Sequence, residues 1–138
     1  MIEINLEGYD KVRSSGIGGN ASVYKLCNKE GGYVRALRET SLAEGEEESF
    51  MEHCRLLLRL GNGCHPYITR VYGCDIKDGK GRVLMDYVHG CCLTDYFKDN
   101  QEVLPADEVM RLFNEVGSAL AYCHHDIYLS CYDKIADD

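Results

Sequence analysis

SSGIGGNASVYKLCNKEGGYVRALRE, residues 14–39, places Gly16, Gly18 and Gly19 ahead of two runs rich in branched and aromatic residues. Glycines at that density turn the backbone tightly or let another group approach it closely. The run SVYKLCN, the turn KEGG and the run YVRALRE read as strand, turn and strand. The Gly31–Gly32 pair marks a hairpin, because primed turns need positive φ. A further strand precedes the glycines from residue 9, so residues 9 to 39 read as three short strands.

Working outward, SLAEGEEES is acidic and poor in apolar residues, and reads as a solvated loop leading into a helix. From Ser49 the period becomes helical, with Phe50, Cys54, Leu57 and Leu58 on one stripe. Gly61 and Gly63 stop that helix, with Pro66 just beyond. ITRVYGCDI and RVLMDYV then read as two strands joined by the turn KDGKG. A long helix closes the chain, with Val109, Leu112, Phe113, Val116, Leu120 and Cys123 as its apolar stripe and Pro105 at its first turn. Both hairpin connections are short, which implies an antiparallel sheet and an α+β fold.

The chain has 138 residues, suited to one compact domain, and a formal net charge of −8. That charge argues against nucleic acid or an anionic membrane surface as a partner. The opening MIEINLEGYD has neither the basic flank nor the apolar core of a signal peptide, so a cytoplasmic setting is expected. Eight cysteines, at 27, 54, 64, 74, 91, 92, 123 and 131, include no Cys-x-x-Cys pair. Neither a disulfide framework nor a zinc module is expected from that spacing; free cysteines commonly pack as small apolar residues.

Taken in order, these segments resemble the protein kinase family. GIGGNASVYK is similar to the glycine-rich loop over the ATP phosphates: Gly16, Gly18 and Val23 match, Ile17 and Gly19 lie within the loop, and Ala21 replaces the third glycine. RALRE resembles the Val-Ala-Ile-Lys strand, which implies Ala36 at the adenine pocket and Arg38 in place of the phosphate-pairing lysine. SFMEHCRLLLRLGNGCHPYITRVYG resembles the small-lobe helix (the family's C helix) running into a His-Pro-x-Ile turn at His65, Pro66 and Ile68. The resemblance implies Glu52 as the ion-pair partner of Arg38. RVLMDYVHG is similar to the hinge, with Met85 as gatekeeper and Asp86, Tyr87 and Val88 meeting adenine through their backbone. CLTDYF and LPADEVMRLFNEVGSALAYCHH resemble the first two helices, D and E, of the C-terminal lobe. The implied organisation is a five-stranded antiparallel N-lobe with its helix over residues 1–88. The hinge exit, two helices of an incomplete C-lobe and an acidic tail follow over 89–138. The implied ligand is ATP, with Mg²⁺ only in a complete domain.

The family's catalytic motifs do not follow. The chain ends HDIYLSCYDKIADD, with neither a His-Arg-Asp loop nor Asp-Phe-Gly. Aligned without gaps, Leu129, Ser130 and Cys131 stand where His-Arg-Asp would be. Alternatively, CYDKIADD resembles the start of an acidic insertion found in some bacterial eukaryotic-like kinases. Asp126, Asp133, Asp137 and Asp138 then read as a solvated tail at or beyond the end of the helix. No catalytic or metal-binding residue is assigned, because phosphoryl transfer needs an acceptor-orienting residue and metal ligands. Two functions follow: the ATP-binding part of a Ser/Thr-type kinase acting on a protein substrate, or a non-catalytic kinase-like module that binds a protein partner.

Overall fold

The computed structural model describes residues 3–13, 21–99 and 104–136. The chain divides into two compact units, one comprising residues 1–64 and 69–88, the other 65–68 and 89–138.

In the first unit five strands form one antiparallel sheet in the order β1-β2-β3-β5-β4. They are β1 Tyr9–Arg13, β2 Ala21–Asn28, β3 Val34–Ser41, β4 Val71–Lys77 and β5 Lys80–Asp86, with helix α1, Glu47–Leu60, between β3 and β4. The two hairpins turn by different means. Between β4 and β5 the two-residue primed turn is Asp78–Gly79, both with positive φ (52° and 70°). Between β2 and β3 only Gly32 has positive φ, and the loop is shaped instead by Asn28, whose Oδ1 accepts from the Glu30 and Gly31 amides. β4 starts at Val71 rather than at Ile68 as the periodicity predicts. Residues 65–68 form a turn that belongs to the second unit, and the Val71 amide donating to Gly61 O marks the start of the strand.

Register sorts the side chains onto two faces, since cross-strand partners point the same way. One face carries the rows Val23–Arg38–Val83–Cys74 and Lys25–Ala36–Met85–Val71. Helix α1 packs on its β4–β5 half, where Cys54, Cys74 and Val83 form a buried cluster flanked by Phe50, Leu57, Leu58 and Met85. The predicted stripe is therefore the packed stripe. The opposite face carries Leu26, Leu37 and Leu84, covered by Ile4 and Leu6 from the segment ahead of β1. That segment is held by a buried ion pair: Arg82 Nε donates to Asp75 Oδ1 at 2.6 Å, the Ile4 amide donates to Asp75 Oδ2, and Arg82 donates to Ile4 O. Because this forked pair satisfies the backbone of the segment, it costs less than an isolated buried charge.

The second unit contains α2, Leu93–Asp99, and α3, Ala106–Ala136. α3 runs well past the Cys123 end of its apolar stripe, through Asp126 and Asp133 of the expected solvated tail, while Asp137 and Asp138 lie outside the described residues. The backbone reason is visible in the sequence, where no glycine or proline follows Gly117 to end the helix.

Candidate nucleotide-binding face

Of the expected site residues, Gly16, Ile17, Gly18 and Gly19 lie outside the described residues. Val23, Ala36, Arg38 and Met85 are brought together on the α1 face of the sheet. Val23 is the cross-strand partner of Arg38, and Ala36 that of Met85. Ala36 is buried and Met85 partly so, which leaves a small apolar floor beside β5. Asp86 ends β5, and its carboxylate is engaged on the opposite face. It accepts from Tyr72 Oη at 2.6 Å and lies 3.5 Å from Arg35, whose guanidinium stacks on the Tyr72 ring. The hydrogen bond to that carboxylate, then burial, pushes the Tyr72 phenol above its usual range. Asp86 thus offers only its backbone to this face. Val88 is exposed beyond the strand.

Arg38 and Glu52 are not brought together. Both are exposed, and among the described residues no salt bridge joins them. The rotation of α1 is set by Phe50, Cys54, Leu57 and Leu58 against the sheet, and Glu52, two residues from both Phe50 and Cys54, falls on the far side. His53 takes the place expected for Glu52. A cavity of about 330 Å³ between β3 and α1 is lined by Arg38, Thr40, Ser49, Phe50 and His53, with Glu46 at the helix entrance. The carboxylate of Glu46 accepts from the Ala43 amide at 2.8 Å. The signal for His53 was present in the stripe itself, because a helix rotates about 100° per residue and the four apolar positions already place residue 53 nearer the sheet than residue 52.

Beneath α1, Cys54 and Cys74 are free thiols with almost no exposure. Burial, reinforced by the neighbouring Cys54 thiol, pushes Cys74 up to about 12. Burial raises Cys54 as well. These are packing residues, not nucleophiles, since the thiolate is the reactive form.

The second unit places the His-Pro-x-Ile turn against α3. His65 Nδ1 accepts from the Tyr67 amide at 3.1 Å, which leaves Nε2 to carry the proton toward Ser118 Oγ at 3.0 Å. The ring also packs on Tyr122 at 5.2 Å between centroids. α2 and α3 enclose an apolar groove of about 560 Å³ that includes Leu93, Phe97, Phe113 and Leu120. Among the described residues no helix is long and apolar enough to cross a membrane.

This arrangement can be set beside known proteins. Residues 9–129 match the family described as "protein kinase domain". The chain is similar to the Mycobacterium tuberculosis PknI kinase domain, with 29% identity and a TM-score of 0.70 over 89% of this chain and 51% of that one. It is 30% identical over 122 residues to the LRR receptor-like serine/threonine-protein kinase FEI 2 of Arabidopsis thaliana, covering 88% of this chain and 20% of that protein. It is 28% identical over 103 residues to LIM domain kinase 1 of Drosophila melanogaster, covering 74% of this chain and 8% of that protein. The chain therefore spans about half of the solved kinase domain and a smaller part of the curated relatives.

Proposed function

This chain belongs to the protein kinase domain family, and on that premise we propose that it is the ATP-binding portion of a Ser/Thr-type protein kinase. Phosphotransfer then requires the rest of the second lobe, because no His-Arg-Asp or Asp-Phe-Gly motif occurs within these 138 residues. The observation that carries the reading is the alignment of Val23, Ala36, Arg38 and Met85 on one sheet face, next to the backbone of Asp86–Val88. Adenine stacks on the floor formed by Val23, Ala36 and Met85 and bonds to the backbone after β5. The amides of Gly16–Gly19 and the Arg38 guanidinium take the phosphates. A complete domain supplies Mg²⁺ ligands and acts on a protein substrate, in a cytoplasmic setting.

Calorimetry with adenosine and with ATP-Mg²⁺ at about pH 8 tests the reading, run beside a radiolabelled transfer assay. Both ligands are expected to bind weakly and with comparable affinity, because the phosphate half lacks metal-holding residues and the chain is itself anionic. Ala36→Leu should weaken both by about tenfold through overpacking of the adenine floor, with circular dichroism confirming the fold. Binding indifferent to Ala36→Leu would place the nucleotide elsewhere.

A second reading, a non-catalytic kinase-like module that engages a protein partner, is favoured by one observation. The cavity that Arg38 lines holds His53 where the Glu52 carboxylate was expected, and among the described residues Arg38 forms no salt bridge. Phosphotransfer by a longer form of the chain that retains both Arg38 and His53 would remove that reading.

A further inference from the structure

The outer face of the sheet, opposite α1, changes character along β3 and β5. Its middle is apolar, with Leu26, Leu37 and Leu84 under Ile4 and Leu6. At the hinge end it turns polar, where Arg35 and Asp86 are direct cross-strand partners. β4 breaks register at this point: Val71 pairs with Met85 but Gly73 pairs with Leu84, so Tyr72 is the extra residue of a bulge. A bulge gives up ladder pairing and re-aims a side chain. Here the Tyr72 hydroxyl donates to Asp86 Oδ1 at 2.6 Å, and Arg35 Nη1 lies 3.5 Å from the same oxygen. The guanidinium is itself placed by two rings, 4.1 Å from the centre of Tyr72 and 5.1 Å from that of Tyr33. The Asp86 amide donates to Arg70 O at 2.9 Å. The last residue of β5 is thus held once through its amide and twice through its carboxylate.

The Arg35 and Asp86 side chains are 25% and 42% exposed, and an ion pair so open to water adds little to stability. What it fixes is geometry, at the residue from which Tyr87 and Val88 leave the sheet. We propose that Tyr72 and Arg35 are positioning residues for a purine: from the outer face they clamp the Asp86 carboxylate and so preorganise the backbone of residues 86–88. The proposal rests on the nucleotide reading, in which the ligand meets that backbone from the α1 face. Neither side chain touches the ligand. They order the segment before binding, so that less freedom is lost when the purine arrives. The hydrogen bond to Asp86, then burial, holds the proton on Tyr72, which keeps it a donor through the neutral range.

Tyr72→Phe removes the hydroxyl and keeps the ring beside Arg35. Adenosine affinity, measured by calorimetry on the intact chain, should fall about three- to tenfold, the range of one net hydrogen bond. Arg35→Met should weaken adenosine as well, and Arg35→Lys, which keeps the charge, should recover most of that loss. Amide exchange followed by NMR supplies a readout that general loosening would not give. In Tyr72→Phe the Asp86 amide should exchange faster, while the Leu26 and Leu37 amides and the urea midpoint stay as in wild type. Equal adenosine binding by wild type and Tyr72→Phe, or an Asp86 amide unmoved by the substitution, overturns the clamp and leaves the nucleotide reading standing. Weaker binding that comes with a lowered urea midpoint and faster exchange at Leu26 and Leu37 also overturns it, since Tyr72 is then a structural residue only. A wild type that binds no adenosine, with Asp86 exchange still faster in Tyr72→Phe, sinks the nucleotide reading instead, and the assignment to a purine with it.

Discussion

Gly81 lies in β5 under the ring of Phe50, and a Cβ there would sit 2.5 Å from two ring carbons. The glycine is needed for space, since Phe50 fills the volume that a side chain would occupy. Gly81→Ala should destabilise the protein by about 1–3 kcal/mol through overpacking, read from urea unfolding, and Phe50→Leu should recover part of that loss by vacating the ring volume. An equal loss in the double variant would mean that the ring is not what excludes the methyl. The thiol of Cys74, pushed up to about 12 by burial and by Cys54, makes a pH prediction at the same scale. An acid whose folded pKa is raised stabilises the fold below its unfolded pKa and loses that contribution as pH climbs through the folded value. Between about pH 8 and about pH 10.5 the wild type should therefore lose more stability than Cys74→Val. Parallel losses in the two proteins would show that the thiol carries no such linkage.

The β4–β5 hairpin acts as more than two strands of the sheet. Asp75 and Arg82 face each other across it, 3% and 6% exposed, and together bind both backbone groups of Ile4. Asp75→Ala leaves a buried guanidinium without its counter-charge and should cost about 3–5 kcal/mol. Faster amide exchange at Ile4 should accompany the loss. The pair Asp75→Leu with Arg82→Met should cost far less, because a satisfied buried ion pair and an apolar pair differ little in net stability. A double variant as unstable as Asp75→Ala would locate the penalty in the Ile4 hydrogen bonds alone. Helix α3 shows the converse. Phe113 is 73% exposed within its apolar stripe, so Phe113→Ser should change unfolding free energy by less than about 0.5 kcal/mol. The same substitution should reduce binding of a hydrophobic dye, because it removes one of the two phenyl rings of the α2–α3 groove.

For the molecule as a whole, charge and missing motifs act together. At a net −8 the chain repels polyphosphate at long range, and only local donors such as Arg38 offset that repulsion. Without residues to hold Mg²⁺ or to orient an acceptor, these 138 residues should transfer no phosphate. The check is a radiolabelled assay comparing wild type with Arg38→Ala. Transfer that disappears in the variant would reveal a catalytic apparatus beyond the residues assigned here.

The order of strands and helices, the Asp78–Gly79 hairpin, the inward stripe of α1 and the succession of kinase-like motifs were all determined by the sequence itself. They rest on local periodicity and turn chemistry, which a chain carries wherever it packs. The tertiary structure decided what depends on rotation and on distant partners. Packing of Phe50 and Cys54 on β4 and β5 turned His53 rather than Glu52 toward Arg38, since one residue of helical register moves a side chain by about 100°. Residues 71 positions apart were joined when the Ile4 amide met Asp75, a contact that no window of neighbouring residues contains. The same distinction separates the length of α3, readable in the absence of a helix breaker after Gly117, from the place of residues 65–68. Those four adjoin β4 in sequence but fold with α3, because His65 finds Ser118 and Tyr122 there.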